Sequence, residues 1–287
     1  MNDPLIPILS VAAVWWLGTG VVLRLVWLPR RTHRTSLLVF SVLALLGFVG
    51  VIGSSTVPTV GAAYLGFGSA LAIWAWHELT FLLGVISGPR KIPCWPEVST
   101  WVRFRDATAA VIHHELALAF TAAALVVMTW DAPNQVATWT FVVLWIMRLS
   151  AKLNIFVGVR NLSEEFIPPH LRYLTSYFRK ARFSPLIIVS LAGAGLALMP
   201  LVGGVLDPEA SAFTVCSHAL VATMLGLGML EHVFLALPVP DAVLWRWAFR
   251  PRAQGRAAAR SAKHPRARGG LRNPWFALGM IDQWLPK

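Results

Sequence analysis

Three apolar segments of the sequence each place a glutamate directly beside a histidine. The segments read "WAWHEL", "IHHEL" and "MLEHVF", and they are spread over the length of the chain. The pairs are His77 with Glu78, His114 with Glu115, and Glu231 with His232. Carboxylate and imidazole groups bind transition metals, and ionisable residues within membrane spans usually face a protein interior or a water-filled cavity. The pairs therefore mark a candidate functional site.

A carboxylate-bridged metal centre, di-iron or another transition metal, is one interpretation of these residues. The candidate metal ligands are Glu78, Glu115, Glu164, Glu165, His170 and Glu231. Di-iron bundles use Glu-x-x-His, in which residues i and i+3 share a helix face. Here the glutamate and histidine are adjacent, about 100° apart around the helix, so only one of each pair can easily face a common site.

Two other interpretations use the same residues differently. A neutral imidazole can bind the central metal of a tetrapyrrole, so His77, His114 and His232 are candidate contacts for a tetrapyrrole or a metal. Alternatively the network is structural. Arg148 and Lys152 are four residues apart and share a helix face, where they are candidate ion-pair partners for the glutamates.

The elements that carry these residues are long apolar runs. The chain is 56% hydrophobic and only 13% charged, and its mean hydropathy is +0.63. Runs of about 20 apolar residues are long enough to cross a bilayer. The sequence therefore predicts an all-α integral membrane protein, a seven-transmembrane-helix bundle with helices at approximately 5–28, 36–54, 60–87, 106–130, 136–159, 184–206 and 211–237.

The distribution of Lys and Arg predicts the orientation of this bundle. They lie after the first, third, fifth and seventh predicted helices, and the loops at the other end contain none. Because cytoplasmic loops are enriched in Lys and Arg, we expect a periplasmic N-terminus and a cytoplasmic C-terminus. At 1.5 Å per residue, Glu78, Glu115 and Glu231 then lie roughly 15, 14 and 9 Å from the cytoplasmic ends of their predicted helices.

The C-terminal part of the chain has a different composition. We expect a transmembrane domain over 1–240 and a basic, largely disordered cytoplasmic tail over 241–287. The chain's net charge of +12 is concentrated partly in this tail. Basic residues next to a span are attracted to the anionic inner leaflet. The charge therefore indicates inner-membrane lipids or a protein partner rather than nucleic acid.

Four stretches together resemble the PuhE family of photosynthetic complex assembly proteins from purple phototrophic bacteria. They are "WHELTFLLGVISGPRK", "HHELAL", the stretch from Arg148 to Arg179 and the late "LEHVF". The resemblance covers about residues 5 to 240. The residues that match its pattern are Trp76, His77, Glu78, His114, Glu115, Lys152, Asn154, Arg160, Asn161, Glu164, Glu165, Pro168, His170, Glu231 and His232.

The resemblance implies a multi-pass protein of the bacterial cytoplasmic (inner or intracytoplasmic) membrane. It would assist assembly of the photosynthetic reaction centre and light-harvesting complex, or influence bacteriochlorophyll supply. Its expected partners are reaction-centre and light-harvesting polypeptides or bacteriochlorophyll-synthesis enzymes, and its possible ligands include bacteriochlorophyll or a precursor. The alternative is a membrane metalloenzyme, or an auxiliary subunit in tetrapyrrole biosynthesis. The sequence favours the assembly role over an enzyme.

Overall fold

The computed structural model describes residues 3–248, apart from residues 163, 183, 239 and 240. Each predicted apolar run contains one α-helix. They are α1 (Leu5–Val26), α2 (His33–Ser55), α3 (Val60–Leu82), α4 (Thr100–Met128), α5 (Val136–Val157), α6 (Pro185–Leu206) and α7 (Ala212–Ala236). Short 3-10 helices lie at Arg30–Thr32, Glu164–Phe166, Pro169–Tyr177 and Asp241–Trp245. The described residues form no β-strand, so the all-α prediction is confirmed for this part of the chain.

Six of these helices are long and apolar enough to cross a membrane: α1, α2, α4, α5, α6 and α7. Many of their large apolar side chains are exposed, such as Leu38 and Leu196, each at 69%. Contact of so much apolar surface with water is unfavourable, whereas its contact with lipid is favourable. The chain is therefore a multi-pass membrane protein.

Helix α3 is not among these six, because no part of it is both long and apolar enough to meet the same criterion. It is 23 residues long and carries Tyr64, His77 and Glu78, which lower its hydropathy. It packs against α1, α2, α4, α5 and α7. At its contact with α2, a Cβ added to Gly47 would lie only 2.9 Å from the carbonyl oxygen of Ser69. Helix α3 is thus enclosed by protein, where polar side chains are less costly than in lipid.

Two helix boundaries differ clearly from the prediction. Helix α3 ends at Leu82 instead of near 87, because Gly84 adopts a φ of +75°, which favours glycine. The residues that follow are still apolar, so hydropathy alone extends the helix too far. Helix α4 begins at Thr100 instead of near 106, because the Ser99 side chain accepts a hydrogen bond from the Val102 amide at 3.3 Å.

We call the end of the bundle where α3, α5 and α7 end and α4 begins the basic end. Contacts between distant segments hold it together. Arg103 donates to the Phe156 carbonyl at 2.7 Å, and Asp106 pairs with Arg90 at 3.0 Å. Asn161 donates from Nδ2 to the Phe234 carbonyl at 3.3 Å. These bonds join the start of α4 to the end of α5 and to the loop after α3, and they join the residues after α5 to the end of α7.

The chain between α5 and α6 folds back across the basic end. After Gly158, with a φ of +134°, Val159 forms an isolated bridge with Lys180. Between them, the 3-10 helix Pro169–Tyr177 buries Leu171, Leu174 and Tyr177. This segment therefore covers the bundle with apolar side chains, although it is polar in sequence.

The segment after α7 returns to α1. Trp245 is 5% exposed, and its Nε1 donates to the Trp16 carbonyl at 2.9 Å. The Trp245 ring also contacts Trp15 edge to face, with ring centroids 5.2 Å apart. Residues 249–287, most of the predicted basic tail, lie outside the described residues, so its boundary and disorder stay predictions.

Candidate functional site

Five charged side chains from four helices line one cavity inside the bundle. They are Glu78 on α3, Glu115 on α4, Arg148 and Lys152 on α5, and Glu231 on α7. The cavity has a volume of about 750 Å³, and most of its wall is apolar. This size is within the range of roughly 300 to 1,000 Å³ that is typical of small-molecule sites.

The two cations of α5 each pair with a carboxylate from a different helix. Arg148 Nη2 lies 3.3 Å from Glu78 Oε2, and the Lys152 ammonium bonds directly to Glu115 Oε1. Lys152 Nζ also lies 5.3 Å from the centre of the Phe81 ring. The i, i+4 spacing on α5 therefore connects α3 and α4 through a single helix face.

Glu231 contributes a third carboxylate from α7. Its Oε1 accepts a hydrogen bond from Trp15 Nε1 at 3.3 Å, which joins α7 to α1. Glu231 therefore places a third carboxylate of the cavity wall in contact with α1.

Several polar atoms of this network can form a further hydrogen bond. Glu78 Oε1, Glu115 Oε2 and Arg148 Nε are buried and have no hydrogen-bond partner in the part of the chain that the structure describes. A buried polar atom without a partner costs about 1 to 3 kcal/mol, so such atoms are usually satisfied by water or a ligand. A water or ligand that reached these atoms would find two acceptors and one donor.

None of the three candidate histidines lines the cavity. His77 is bonded through Nε2 to Thr121 Oγ1 at 2.9 Å. His114 is fully buried, lies beside the Phe81 ring and has its Nε2 3.9 Å from Glu78 Oε1. The glutamate of each pair faces the cavity and the histidine does not, as the adjacent spacing predicts.

His232 belongs to a separate polar network that joins α5, α6 and α7. Its Nδ1 lies 2.8 Å from the Gly228 carbonyl oxygen, and its Nε2 lies 2.9 Å from Ser150 Oγ. Ser150 donates to Ser190 Oγ at 2.8 Å, and Asn154 donates to the same oxygen at 3.0 Å. The sequence interpretation included Asn154 but missed the two serines, since a serine in a helix carries no distinctive pattern.

The positions of these histidines do not fit imidazole ligation of a pigment inside the cavity. Both ring nitrogens of His232 already have partners, and His77 and His114 lie behind the cavity wall. A tetrapyrrole in this cavity would have to be held by the apolar wall and by hydrogen bonds to the glutamates and Arg148. The histidine contacts therefore stay a prediction.

The remaining candidate metal ligands lie apart from the cavity wall. Glu164 and Glu165 are exposed on the 3-10 helix Glu164–Phe166, and exposed His170 is bonded through Nε2 to the Leu82 carbonyl at 2.9 Å. Within the described residues, no group of three or more His, Cys, Asp or Glu side chains is placed to hold a metal ion. The metal-ligand assignment gains no geometric support and stays a prediction.

The stretch that contains these glutamates closes the cavity through its apolar residues instead. Leu162, Phe166, Ile167, Leu171 and Leu174 line the cavity at the basic end. Sequence reasoning attributed the functional role of this stretch to its polar residues and missed the apolar ones. The regular spacing that marks an apolar helix face is absent here, because the segment is built from short 3-10 turns.

Fold and cavity together define a polytopic α-helical membrane protein with an internal charged site. Residues 1–256 match the family described as a protein of unknown function, DUF3623, and the chain belongs to this family. A relative from Rhodobacter capsulatus is 33% identical over 254 residues, which cover 86% of this chain and 91% of the relative. It is described as an uncharacterized 30.4 kDa protein in the puhA 5' region. No solved structure matches the chain.

Proposed function

We propose that the protein is an assembly factor for the bacterial photosynthetic reaction centre and light-harvesting complex. Support comes from the relative in the puhA 5' region of Rhodobacter capsulatus, a photosynthesis gene region, and from the resemblance to photosynthetic complex assembly proteins. The cavity is the structural observation that carries the proposal. An internal site with an apolar wall and a few fixed charges suits a membrane-soluble guest, such as a pigment or pigment precursor.

In the arrangement that we propose, the protein spans the bacterial cytoplasmic membrane seven times, with its basic end in the cytoplasm. Helix α3 is the seventh span, and the five helices packed around it compensate for its lower hydropathy. With seven spans, all the loops rich in Lys and Arg lie on one side, in agreement with the usual charge asymmetry. The basic end would then dock reaction-centre polypeptides or a pigment-synthesis enzyme.

Native cysteines provide a test of this topology. Cys94 lies between α3 and α4 and is partly exposed, whereas Cys216 is buried in α7. A membrane-impermeant maleimide should label Cys94 in inside-out vesicles and not in intact spheroplasts, and Cys94→Ser should abolish the signal. Labelling of Cys94 in intact spheroplasts would refute the seven-span arrangement, because a chain that starts in the periplasm and whose α3 does not cross places this loop outside.

The role of the cavity can be tested by filling it. Gly18 lies on the cavity wall, and a Cβ added there meets no atom within 4 Å. We therefore expect Gly18→Phe to narrow the cavity, because the first atom of the new side chain meets no neighbour. Gly193 on α6 is similarly exposed and open but does not line the cavity, so Gly193→Phe is the matched control.

Both variants should be expressed in a purple phototrophic bacterium that lacks the native gene. We expect the wild-type chain and Gly193→Phe to restore the near-infrared absorbance of the reaction-centre and light-harvesting complex, and Gly18→Phe to fail at equal protein level in the membrane. Full restoration by Gly18→Phe would show that the cavity is not used. Normal complex levels in the deletion strain would refute the assembly role itself.

The alternative of a membrane metalloenzyme predicts a different result from purified protein. Metal analysis of the detergent-solubilised chain should then find about one or two tightly bound transition-metal ions, and Glu115→Gln should release them. The assembly proposal expects substoichiometric metal that does not change in Glu115→Gln. An ion held at full occupancy and lost in this variant would favour the enzyme.

A further inference from the structure

A second, smaller cleft lies at the basic end, outside the charged cavity. Its volume is about 370 Å³, and three segments that are distant in sequence meet around it. They are the turn between α1 and α2, the loop after α3 and the 3-10 helix Pro169–Tyr177. Its polar lining residues are Arg30, His33, Ser87, Lys91, His170 and Tyr173.

The cations of this cleft are not neutralised by the protein. The lining contains no Asp or Glu, and neither Arg30 nor Lys91 makes a salt bridge within the described residues. Other arginines nearby are already engaged, since Asp106 pairs with both Arg90 and Arg105. Two positive charges therefore converge here without a protein counter-charge.

Two hydroxyl groups add hydrogen-bonding capacity at the same place. Ser87 is only 3% exposed, and its Oγ has no hydrogen-bond partner elsewhere in the described chain. The Tyr173 hydroxyl oxygen is also buried, and the Ser87 hydroxyl is its hydrogen-bonding neighbour, so one of the two hydroxyls can donate to the other. At least one hydroxyl hydrogen is therefore available to a ligand in this cleft. A buried donor of this kind distinguishes a formed site from a merely basic surface.

The two histidines are oriented by the backbone. His33 Nε2 lies 3.1 Å from the Leu28 carbonyl oxygen, and His170 Nε2 lies 2.9 Å from that of Leu82. Because a carbonyl oxygen only accepts, each Nε2 carries a hydrogen. These bonds fix both rings at the wall of the cleft. The groups that can bind a ligand are therefore Arg30, Lys91 and the two hydroxyls.

We propose that this cleft binds a phosphate group, either from the headgroup of a phospholipid or from a soluble phosphate ester. A phosphate presents several acceptor oxygens and negative charge, which match the two cations and the hydroxyl donors. Carboxylate ligands are a poorer match, because they present only two oxygens to donors from three directions. The cleft shares only Leu171 with the wall of the charged cavity, and its proposed ligand does not depend on the assembly role.

The test uses the full chain, purified in an uncharged detergent. Isothermal titration calorimetry would measure the binding of inorganic phosphate, glycerol 3-phosphate and short-chain phosphatidic acid, phosphatidylglycerol and phosphatidylcholine. The variants are Arg30→Gln, Lys91→Gln and Ser87→Ala. Arg31→Gln is the matched control, because Arg31 is exposed one residue away and does not line the cleft.

We expect Arg30→Gln and Lys91→Gln to weaken binding by at least about tenfold, since each removes a charge-assisted bond to the phosphate. Ser87→Ala should weaken it by a few fold, and Arg31→Gln should change it by less than about twofold. Equal losses in Arg30→Gln and Arg31→Gln would reveal only general surface attraction and would overturn the site. Unchanged melting curves for all four variants exclude unfolding as the cause.

Comparison of the soluble and the lipid probes also distinguishes the two sources of the phosphate group. Binding of glycerol 3-phosphate as tightly as short-chain phosphatidic acid identifies a soluble ester as the ligand. Binding that requires acyl chains, and that phosphatidylcholine does not reproduce, identifies an anionic lipid headgroup. No binding of any of the five probes would overturn the proposal.

Discussion

Removing one partner of the pair between Lys152 and Glu115 should destabilise the bundle strongly. The side chains of Lys152 and Glu115 are only 23% and 15% exposed, so their charges are largely shielded from solvent. Loss of one partner from a buried pair leaves an uncompensated charge and typically costs about 3 to 5 kcal/mol. Because Glu115 lines a cavity rather than solid protein, we expect the lower end of this range, about 3 kcal/mol, for Lys152→Met.

A double-mutant cycle measures how much of this loss belongs to the pair. The variants are Lys152→Met, Glu115→Gln and the combination, and the measurement is thermal unfolding in nanodiscs followed by tryptophan fluorescence. A loss of about 3 kcal/mol corresponds to a decrease in Tm of about 6 to 12 °C for a domain of this size. The double variant should be more stable than the sum of the single losses predicts, by about 2 kcal/mol.

Arg34→Gln provides the control, because this exposed arginine on α2 makes no salt bridge within the described residues. It should change the free energy of unfolding by less than about 0.5 kcal/mol. Single effects on Lys152 and Glu115 that add to within about 0.5 kcal/mol would show that the two side chains do not interact. The assignment of this pair as a support of the bundle would then be wrong.

Three further predictions concern other parts of the bundle. His170 keeps part of its surface accessible, but desolvation of its ring against the protein lowers its pKa from the ordinary value of 6.5, with the hydrogen bond to the Leu82 carbonyl opposing the shift. The free energy of unfolding should therefore rise with pH between the lowered pKa and about 6.5, and this contribution should be lost on acidification. In His170→Gln, Tm should depend less on pH over the same range. Gly84→Ala should lower stability by about 1 to 2 kcal/mol in the same assay, because its φ of +75° disfavours a side chain; an unchanged Tm would contradict this. Ser150→Ala should cost about 1 to 3 kcal/mol by leaving His232 Nε2 without its partner, whereas Ser150→Thr should retain most of the stability.

Sequence reasoning recovered the helices because a bilayer-spanning helix needs a long apolar run. It was least accurate where the backbone, rather than hydropathy, determines the boundary. The residues from Leu83 to Ile86 are mostly apolar, yet Gly84 has already ended α3. The capping hydrogen bond of Ser99 likewise starts α4 before its apolar stretch begins.

The candidate site could be predicted only in part for a related reason. The unusual presence of Glu78, Glu115 and Glu231 in apolar segments identified three residues of the cavity wall directly. The rest of the wall consists of ordinary apolar residues, which no local pattern separates from lipid-facing ones. The basic cleft was not predicted, because Arg30, Lys91 and His170 come from three segments that only the fold brings together.

The ion pairs of α5 also have a consequence for biosynthesis. Glu78 and Glu115 leave the ribosome before Arg148 and Lys152. Helices α3 and α4 therefore enter the membrane before the cations that pair with their glutamates have been synthesised. Until then, an ionised carboxylate in the bilayer is costly, and the early helices gain from being protonated or sheltered by the insertion machinery. The bond between Trp15 and Glu231 forms later still, when α7 has been made. A nascent chain interrupted before α5 therefore carries two acids without their counter-charges.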